Sequence, residues 1–558
     1  MKTIKIIIIS LLVGLNLTSC DFLEKDPTYT TPENYFKNEA DAASWLTGTY
    51  AILGQSSFYG NEFLYLVGGD DLGHYGGANR GPNKSGLICN NANTSDPAVA
   101  ALWYTLYSGI NRANIFLENI DAVPDINDDT RKQYKAEARF LRAFYYFTLV
   151  ECWGDVPFKT TSTEDAYNLS IPRTDKQTIY DFIIKEMYGS AEDLKSAQEL
   201  NYLPGRVSKS AAWGMLARVY MFRAGEPKRD KEVGLANSTT SAEITEYFKK
   251  ASYYAQLVKN EGHSLTAKYW DFFIDICSDK YNTALNKDGA KANESIWEVE
   301  FAGNRSTDVR AEGRIGNIIG IQGKDLSSKA SITGKGDPGY AYAFIWNTPK
   351  LLELYEANGD IDRCNWNIAP FTYTQSAGEG TPVDGREFVK GKRDEVEQQY
   401  WDQSFSYGKT DPGSTYGDRE SKNDANKNRN RAAAKYRREY EADKKSKNDT
   451  SINFPLLRYS DILLMIAEAE NEVNHGPNDL AYECINAVRE RAGISKLQAN
   501  LDEENFRKAI KDERAMELCF EYTRRFDLIR WGDYYKLMQE QVDKAQADQS
   551  WKFGINVY

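Results

Sequence analysis

Residues 131–153 read RKQYKAEARFLRAFYYFTLVECW and carry the clearest indication of the fold. Apolar residues recur there every three or four positions, at Tyr134, Ala138, Leu141 and Tyr145, and a second set widens the stripe, at Phe140, Phe144 and Phe147. This spacing is typical of an α-helix. Because the stripe is wide, we expect the helix to be covered on both sides, inside a layer of other helices.

Similar periodicity flanks this stretch in both directions. It predicts helices over residues 98–120, 176–194, 208–222 and 245–259. Short connectors that contain Pro124, Pro172, Pro204 and Gly205 separate these helices, and proline and glycine commonly end helices. Paired helices with short loops and broad apolar faces indicate helical-repeat stacking, although no repeat of fixed period is evident.

The middle of the chain has a different pattern. From about 269 to 453, short apolar runs alternate with Gly, Asn, Asp and Lys; 349–355 is helical in pattern, and 295–299 reads as a buried strand. Helical periodicity returns at 459–473, 480–492 and 503–520. We therefore predict one mainly α-helical body over 20–558. Its helical scaffold covers about 30–265 and 454–540, and a loop-rich excursion with short strands covers about 266–453, where function is expected.

The amino terminus has the features of a secretion signal. Lys2 and Lys5 precede an apolar run from Ile6 to Leu17, which ends in Leu-Thr-Ser-Cys20. The run is shorter than the roughly 20 residues that a membrane helix needs. Its ending resembles the lipobox of bacterial lipoproteins. We therefore expect residues 1–19 to be removed and Cys20 to carry the lipid anchor; an ordinary cleaved signal is the alternative.

Composition limits the possible partners. The 558-residue chain has a net charge of −12 and a pI of about 5.2, so its surface repels phosphate backbones and anionic lipids. We expect no nucleic-acid partner, and the lipid anchor is the one membrane contact that we predict. The 36 tyrosines and 11 tryptophans serve core packing, but their flat faces and polar tips also suit stacking on sugar rings.

One pair of carboxylates has the spacing of a catalytic pair. Glu513 and Glu517 are four residues apart and would share a helix face. A glycosidase pair needs one carboxyl that stays protonated near neutral pH. Arginines at 514, 524, 525 and 530 would lower carboxyl pKa values instead. The sequence therefore favours a structural ion-pair network.

Other catalytic and metal-binding patterns are weak. His74, His263 and His475 are far apart and lack the spacing of zinc ligands. No GxSxG elbow or P-loop occurs, and the GxGxxG at 334–339 contains Asp337 and Pro338, which both oppose phosphate binding. We predict no metal, no cofactor and no enzymatic activity.

The cysteines are expected to be thiols. Six remain besides Cys20, and none is in a CxxC pair: Cys89, Cys152, Cys277, Cys364, Cys484 and Cys519. Several of them lie beside apolar residues in helical patterns, which favours buried free thiols over disulfides.

Three groups of motifs resemble the SusD/RagB family of outer-membrane nutrient-binding lipoproteins. The first lies near the amino terminus, with Cys-Asp-Phe-Leu at 20–23, Pro-Glu-Asn-Tyr-Phe at 32–36 and Gly-Thr-Tyr at 48–50. The second is YSGINRAN at 107–114 with EARFLRA at 137–143. The third is RYSDILLMIAEA at 458–469, INAVRERAG at 485–493 and RFDLIRWG at 525–532. The motifs occur in family order across nearly the whole chain.

The resemblance implies a scaffold of tetratricopeptide-like helix pairs with a ligand face built from the intervening loops. It also implies an outer-membrane, lipid-anchored and surface-exposed protein that binds an oligosaccharide or polysaccharide and delivers it to a SusC-like TonB-dependent transporter. Peptide capture, as on the RagB side of the family, is the alternative. A surface glycoside hydrolase, or a structural lid whose ligand is held by the transporter, is a further possibility.

A row of aromatic residues is the first candidate binding surface. Tyr340, Tyr342, Phe344 and Trp346 alternate with small or aliphatic residues, so that in an extended segment all four rings would face one way. Such a row suits stacking on a ligand. It suits covering the helical core equally well, because it runs directly into the predicted helix at 349–355.

The second candidate surface is the loop 70–80. Its glycines would expose Asp71, Tyr75, Asn79 and Arg80, which offer one ring and several groups that bond hydroxyls; a merely flexible loop is the alternative. Weaker candidates stand at Trp270, Arg305, Trp366 and Tyr373. The Lys/Asn/Arg-rich run from 422 to 447 is expected to be solvated, with residues 435–440 returning the chain to the scaffold.

Overall fold

The computed structural model describes residues 35–75, 92–163, 170–301, 313–321, 341–369, 431–441 and 449–547. Fifteen α-helices lie in this part of the chain: α1 (Glu39–Tyr50), α2 (Pro97–Asn119), α3 (Asp128–Trp153), α4 (Lys176–Asp193), α5 (Lys209–Glu232), α6 (Ser241–Lys259), α7 (Tyr269–Cys277), α8 (Ile315–Ile318), α9 (Pro349–Asn358), α10 (Ile361–Asn367), α11 (Tyr459–Asn474), α12 (Asp479–Arg491), α13 (Glu503–Leu518), α14 (Thr523–Trp531) and α15 (Tyr534–Ala547). The predicted mainly helical class is confirmed.

Strands are few, short and antiparallel in the described residues. They are β1 (Gly73–Tyr75), β2 (Val156–Pro157), β3 (Arg173–Thr174), β4 (Ser295–Val299), β5 (Ile345–Asn347) and β6 (Phe454–Arg458), paired as β1–β5, β2–β3 and β4–β6. The predicted buried strand around Trp297 is confirmed as β4. Its indole is fully buried, edge-on to Phe140 and Phe144 of α3 at ring distances of 5.1 and 4.9 Å.

The stretch at 131–153 forms the central helix α3, as predicted. The Asn127 side chain accepts a hydrogen bond from Thr130 N and caps its first turn. Its aromatic residues are buried on both sides, and the Tyr145 hydroxyl donates to Thr49 O at 2.7 Å. At Gly109 of α2, a Cβ would lie 2.6 Å from the Tyr145 ring. The glycine therefore lets α2 and α3 approach closely.

The helices form a continuous stack despite the long excursion between them. Consecutive helices from α1 to α6 pack against each other, and α11 then packs on α6. Helices α12 and α13 pack on α11, while α14 returns to contact α5. The helical stacking that the sequence indicated therefore continues from the amino-terminal helices into the carboxyl-terminal ones. None of the described helices combines the length and apolarity needed to cross a membrane.

Helix α5 continues to Glu232, whereas periodicity predicted an end near Phe222. The extra turns carry polar residues that tertiary contacts bury. Lys176 pairs with both Glu226 and Asp230, and a Cβ at Gly225 would lie 2.4 Å from the Arg530 carbonyl oxygen. Because these contacts come from α4 and α14, apolar spacing within α5 could not indicate them.

A buried arginine–carboxylate cluster joins the excursion to the scaffold. Its members are Glu294, Asp360, Arg363, Lys435, Arg458, Arg489, Arg491, Glu513, Glu517 and Glu521, and all of them are buried. Glu517 lies at the centre, where Arg458 and Arg363 approach its oxygens to 2.6 and 2.8 Å and Arg491 also binds it. Burial opposes ionisation of Glu517, but these three guanidiniums outweigh it, so its pKa lies well below the ordinary value.

The predicted structural network around Glu513 and Glu517 is confirmed, but its cations differ from those expected. Both carboxylates point toward arginines that are distant in sequence, and Arg489 and Arg363 contact Glu513 at 2.8 and 2.7 Å. The neighbouring arginines of α13 and α14 have other partners: Arg514 binds Asp461 and Asp527, Arg524 binds Asp71, and Arg530 binds Glu468 and Asp527. Arg514 follows Glu513 directly in α13, so the two side chains point to different faces of the helix.

The cysteines of the described residues are thiols, as predicted. Cys152, Cys277, Cys364, Cys484 and Cys519 are free, and all but Cys152 are buried. The predicted signal at 1–19, the lipidation site Cys20 and Cys89 lie outside the described residues.

Replacing Glu517 by Gln tests the arginine–carboxylate cluster. Removing this charge leaves three buried guanidiniums without their shared partner, and breaking a buried ion pair costs about 3–5 kcal/mol. We expect E517Q to lower the midpoint of urea unfolding markedly, measured by circular dichroism. E504Q is the matched control, because Glu504 lies on the same helix with its side chain 87% exposed, and its effect should stay within about 0.5 kcal/mol. Equal midpoints for the two variants would refute the role of the cluster.

Candidate functional site

Strand pairing brings the two candidate surfaces together. Strand β1 contains Tyr75 of the loop at 70–80, and β5 contains Trp346 of the aromatic row. The two strands are antiparallel, with His74 opposite Trp346 and Tyr75 opposite Ile345. Residues more than 260 positions apart in the chain therefore lie side by side. From the sequence, the loop and the aromatic row were predicted as two separate surfaces.

The rings on this surface form an aromatic stack of Tyr342, Phe344, Tyr75 and Tyr65. Tyr342 and Phe344 are nearly parallel, with centroids 5.0 Å apart and planes inclined by 6°. Tyr75 stacks on Phe344 at 5.7 Å, and Tyr65 meets both of these rings at about 6 Å. Tyr342, Phe344 and Tyr75 are half-buried, so part of the stack is exposed.

The alternation of the row has the predicted effect at two positions. Tyr342 and Phe344, two residues apart, project to the same side. Phe344 and Tyr75 also pack against the hydrophobic core, which was the alternative interpretation of the row. The row therefore packs on the core and still presents stacked rings. Trp346 is half-buried and its Nε1 donates to Ala343 O at 3.1 Å, while Tyr340 lies outside the described residues.

A buried ion pair holds the start of this surface on the scaffold. Arg524 Nε and Nη2 donate to the two oxygens of Asp71 at 2.7 and 2.8 Å, and Lys350 approaches the same carboxylate at 2.6 Å. The Thr348 hydroxyl donates to Asp71 O at 2.6 Å. Burial opposes ionisation of Asp71, but its two cations outweigh it, and its pKa lies well below the ordinary value.

Asp71 was expected among the ligand-binding side chains, and this expectation needs correction. The residue has no exposed surface, and both of its oxygens are occupied by Arg524 and Lys350. It therefore positions the loop beneath the aromatic stack. Asn79 and Arg80, the other polar residues predicted from this loop, lie outside the described residues.

Asp70 stands beside Asp71 and raises the glycosidase question again. Burial and the neighbouring Asp71 charge raise the pKa of Asp70 to about 7, so two adjacent carboxyls have divergent pKa values. Asp70 is 2% exposed, however, and its Oδ1 accepts from Leu72 N and Gly73 N at 2.8 and 3.1 Å. Neither carboxyl reaches the accessible side of the stack. A glycosidase pair must flank its substrate, so this pair serves the turn into β1.

The returning end of the excursion completes the support of β5. Asn347 N donates to Arg431 O at 3.0 Å, Arg431 N donates to Asn347 Oδ1 at 2.6 Å, and Ala433 N donates to Ile345 O at 2.9 Å. Lys435 is then buried in the arginine–carboxylate cluster, as its predicted role in returning the chain to the scaffold required. Strand β5 is thus hydrogen-bonded along both edges, by β1 on one side and by residues 431–433 on the other.

Several further candidates have structural roles. Trp366 is fully buried with Arg437 4.0 Å above its ring, and Trp270 is 9% exposed in α7, so neither is placed as a ligand-stacking ring. Arg305 and Tyr373 lie outside the described residues. Tyr65 was missed, because it belongs to a short 3₁₀ helix, Glu62–Gly68, whose composition resembles core sequence.

Two family models match the chain. One is described as the SusD family and matches residues 293–558, and the other is described as starch-binding associating with outer membrane and matches residues 21–221. Together they cover the carboxyl-terminal helices with part of the excursion and the amino-terminal half of the scaffold.

Individual relatives agree with these models along the whole chain. The SusD-like protein P25 of Formosa agariphila is 27% identical, with 97% of this chain and 92% of that protein covered. A SusD homologue from Bacteroides thetaiotaomicron has a crystal structure that matches with a TM-score of 0.75 and 25% identity, over 95% of this chain and 92% of that one. A laminarin-binding SusD-like protein has the same fold, with a TM-score of 0.62, 21% identity, and 91% and 94% coverage. With motifs, family models and fold in agreement, this chain belongs to the SusD/RagB family.

Proposed function

We propose that this protein is a lipid-anchored, surface-exposed protein of the outer membrane that binds an oligosaccharide or polysaccharide and delivers it to a SusC-like TonB-dependent transporter. The observation that carries the proposal is the aromatic stack formed by the end of β1 and the residues just before β5, with Tyr342 and Phe344 parallel and Tyr75 beside them. The related proteins include a starch-binding SusD and a laminarin-binding protein, which is consistent with a glycan ligand.

The chemistry of the stack suits a sugar. The axial C–H groups of a pyranose form an apolar face that packs on an aromatic ring, while phenol hydroxyls at the edge bond the sugar hydroxyls. Tyr342 combines both features, and Tyr75 adds a half-buried ring whose hydroxyl is buried. Their rings are held by neighbouring rings, so little side-chain entropy is lost when a ligand binds.

The rigid support of the stack favours binding without bond chemistry. The nearby carboxyls of Asp70 and Asp71 are buried, and they hold the turn and the Arg524 ion pair. A protein that captures and then releases its ligand needs modest affinity, which a few stacking contacts of about 1 kcal/mol each supply. Because a ligand that is bound with modest affinity is also released readily, it could then be transferred to a transporter.

Replacing Tyr342 by Ala tests the binding site. Loss of one stacking ring should raise the Kd for the recognised glycan roughly five- to tenfold, because about 1 kcal/mol is removed. The measurement is native affinity electrophoresis against starch, laminarin and other polysaccharides with a casein digest alongside, followed by calorimetry. Y75A should have a similar effect.

Two controls make this test specific. Y342F keeps the ring and should retain most of the affinity, and Y104A removes a tyrosine that is 71% exposed on α2 and should leave binding unchanged. Glycan binding that Y342A and Y75A leave unaltered would refute the site. Binding of the casein digest without any glycan would instead assign peptide capture.

Replacing Cys20 by Ala tests the anchor. One thiol carries the acyl chains, and a stable anchor needs at least two chains or signals. We expect C20A to move the protein from the membrane fraction to the soluble fraction of cells, as measured by fractionation and immunoblotting. C89A is the control and should stay with the membrane. Membrane retention of C20A would exclude lipidation at this residue.

A further inference from the structure

A small cavity lies where the amino-terminal and carboxyl-terminal helices meet. Its volume is about 30 Å³, and it is lined by side chains of α3, α5, α11, α13 and α14 together with Tyr59. About half of the wall is apolar and comes from Phe144, Phe147, Met215, Met221, Phe222, Met465 and Phe526. We call it the seam cavity, because α3 and α5 precede the excursion and α11, α13 and α14 follow it.

Three hydrogen-bond donors that line the seam cavity have no partner. They are the Tyr522 hydroxyl, the Thr523 hydroxyl and Nε of Arg218, each with almost no accessible surface at the polar atom. Tyr522 is 8% exposed and has a positive φ of 77°, which turns the chain at the start of α14 and directs its ring inward. An unpaired buried donor costs about 1–3 kcal/mol, so three in one cavity call for an acceptor there.

A carboxyl group faces the same cavity. Glu151 of α3 lines it and is 9% exposed. The charged and titratable groups around it are Arg218 and Arg229 of α5, Arg514 of α13, Asp527 and Arg530 of α14, the thiol of Cys152, and the phenols of Tyr59, Tyr180 and Tyr522. Most of the arginine charge is already matched, because Arg218 and Arg514 share Asp461, and Arg530 binds Glu468 and Asp527.

We propose that the seam cavity is a hydration site, in which about two ordered water molecules bridge the Glu151 carboxyl to the unpaired donors of Tyr522, Thr523 and Arg218. The volume fits this number, since one water needs roughly 10–15 Å³ of such space. The polar partners also fit, because a buried water makes about three hydrogen bonds. The bridge would connect α3 and α5 to α14, across the junction that the excursion interrupts.

Water suits the site better than an ion. Each water can accept two hydrogen bonds and donate two, so two waters together can accept from the three donors and also bond the carboxyl. A cation would face Arg218, Arg514 and Arg530, whereas an anion would face the carboxylate of Asp527. A neutral ligand that both donates and accepts avoids both repulsions.

The first test replaces Tyr522 by Phe. In a hydrated cavity, Y522F removes a hydroxyl that is bonded to water and lowers the thermal unfolding midpoint of the purified protein. In a dry cavity the same change removes an unsatisfied hydroxyl and leaves the midpoint unchanged or raises it. Y436F is the matched control, because the Tyr436 hydroxyl is also buried and unpaired but does not line the cavity.

The unfolding midpoint of Y522F should therefore fall, while that of Y436F should rise or stay unchanged. A Y522F midpoint equal to or above that of the unaltered protein would overturn the proposal. A crystal structure provides the direct check, with density for water expected within 3.2 Å of the Tyr522 hydroxyl oxygen. A chloride-dependent midpoint that Y522F abolishes would also overturn it, in favour of an anion.

The second test uses the pH dependence of Glu151. Burial raises its pKa to about 8, despite the attraction of Arg218 and Arg229. Folded Glu151 is thus protonated between its unfolded value of 4.5 and about pH 8, while unfolded Glu151 is ionised, so its contribution to stability falls as pH rises through this window. Asp461 and Glu468, with pKa values of about 2, stay ionised throughout.

We expect the E151Q variant and the unaltered protein to have similar free energies of unfolding near pH 5. Between pH 5 and about pH 8 the variant should become progressively more stable than the unaltered protein. Above pH 8 the difference should stay constant. The change in relative folding equilibrium should be roughly a thousandfold, measured by urea unfolding at each pH. E504Q is the control, since the side chain of Glu504 is 87% exposed, and its curve should run parallel to that of the unaltered protein. A pH-independent difference for E151Q would contradict a protonated Glu151 in the cavity.

Discussion

The structure depends on the buried carboxylate of Glu517 and the three arginines that share it. Arg363 comes from the excursion, Arg458 from the end of β6 and Arg491 from the end of α12, and all three converge on one side chain of α13. A buried charge is tolerated only when it is matched, so any arrangement that separates these segments leaves a charge without its partner. One carboxylate thus determines where the excursion leaves and rejoins the scaffold.

The candidate binding surface depends on the same principle in a second place. Asp71, Arg524 and Lys350 connect the loop before β1, the helix α14 and the helix α9 in one buried ion pair. Because β5 runs directly into α9, this pair sets the position of both strands that carry the aromatic stack. The stack is therefore positioned by the helical scaffold, even though its residues belong to segments with little regular structure. A rigid platform of this kind loses little entropy on binding a ligand.

Much of the fold could be predicted from the chain alone. The wide stripe of α3, the helices around it and the return of helix at Tyr459 are local patterns of apolar spacing, and Trp297 was recognisable as a buried strand residue. The candidate site could be predicted only in part. Tyr75 and Tyr342 both stack on Phe344, but Asp71 is fully buried, and Tyr65 was not predicted.

The sequence by itself determined the helical class, the family, and the residue types available for binding, because each of these depends on spacing between neighbours or on motifs in order. The tertiary structure decided which arginine meets which carboxylate, how far α5 extends, and that Tyr75 stacks on Phe344. Those outcomes join residues separated by tens to hundreds of positions. Desolvation makes a buried charge or ring depend on whatever lies opposite to it in space, and that neighbour has no fixed distance along the chain.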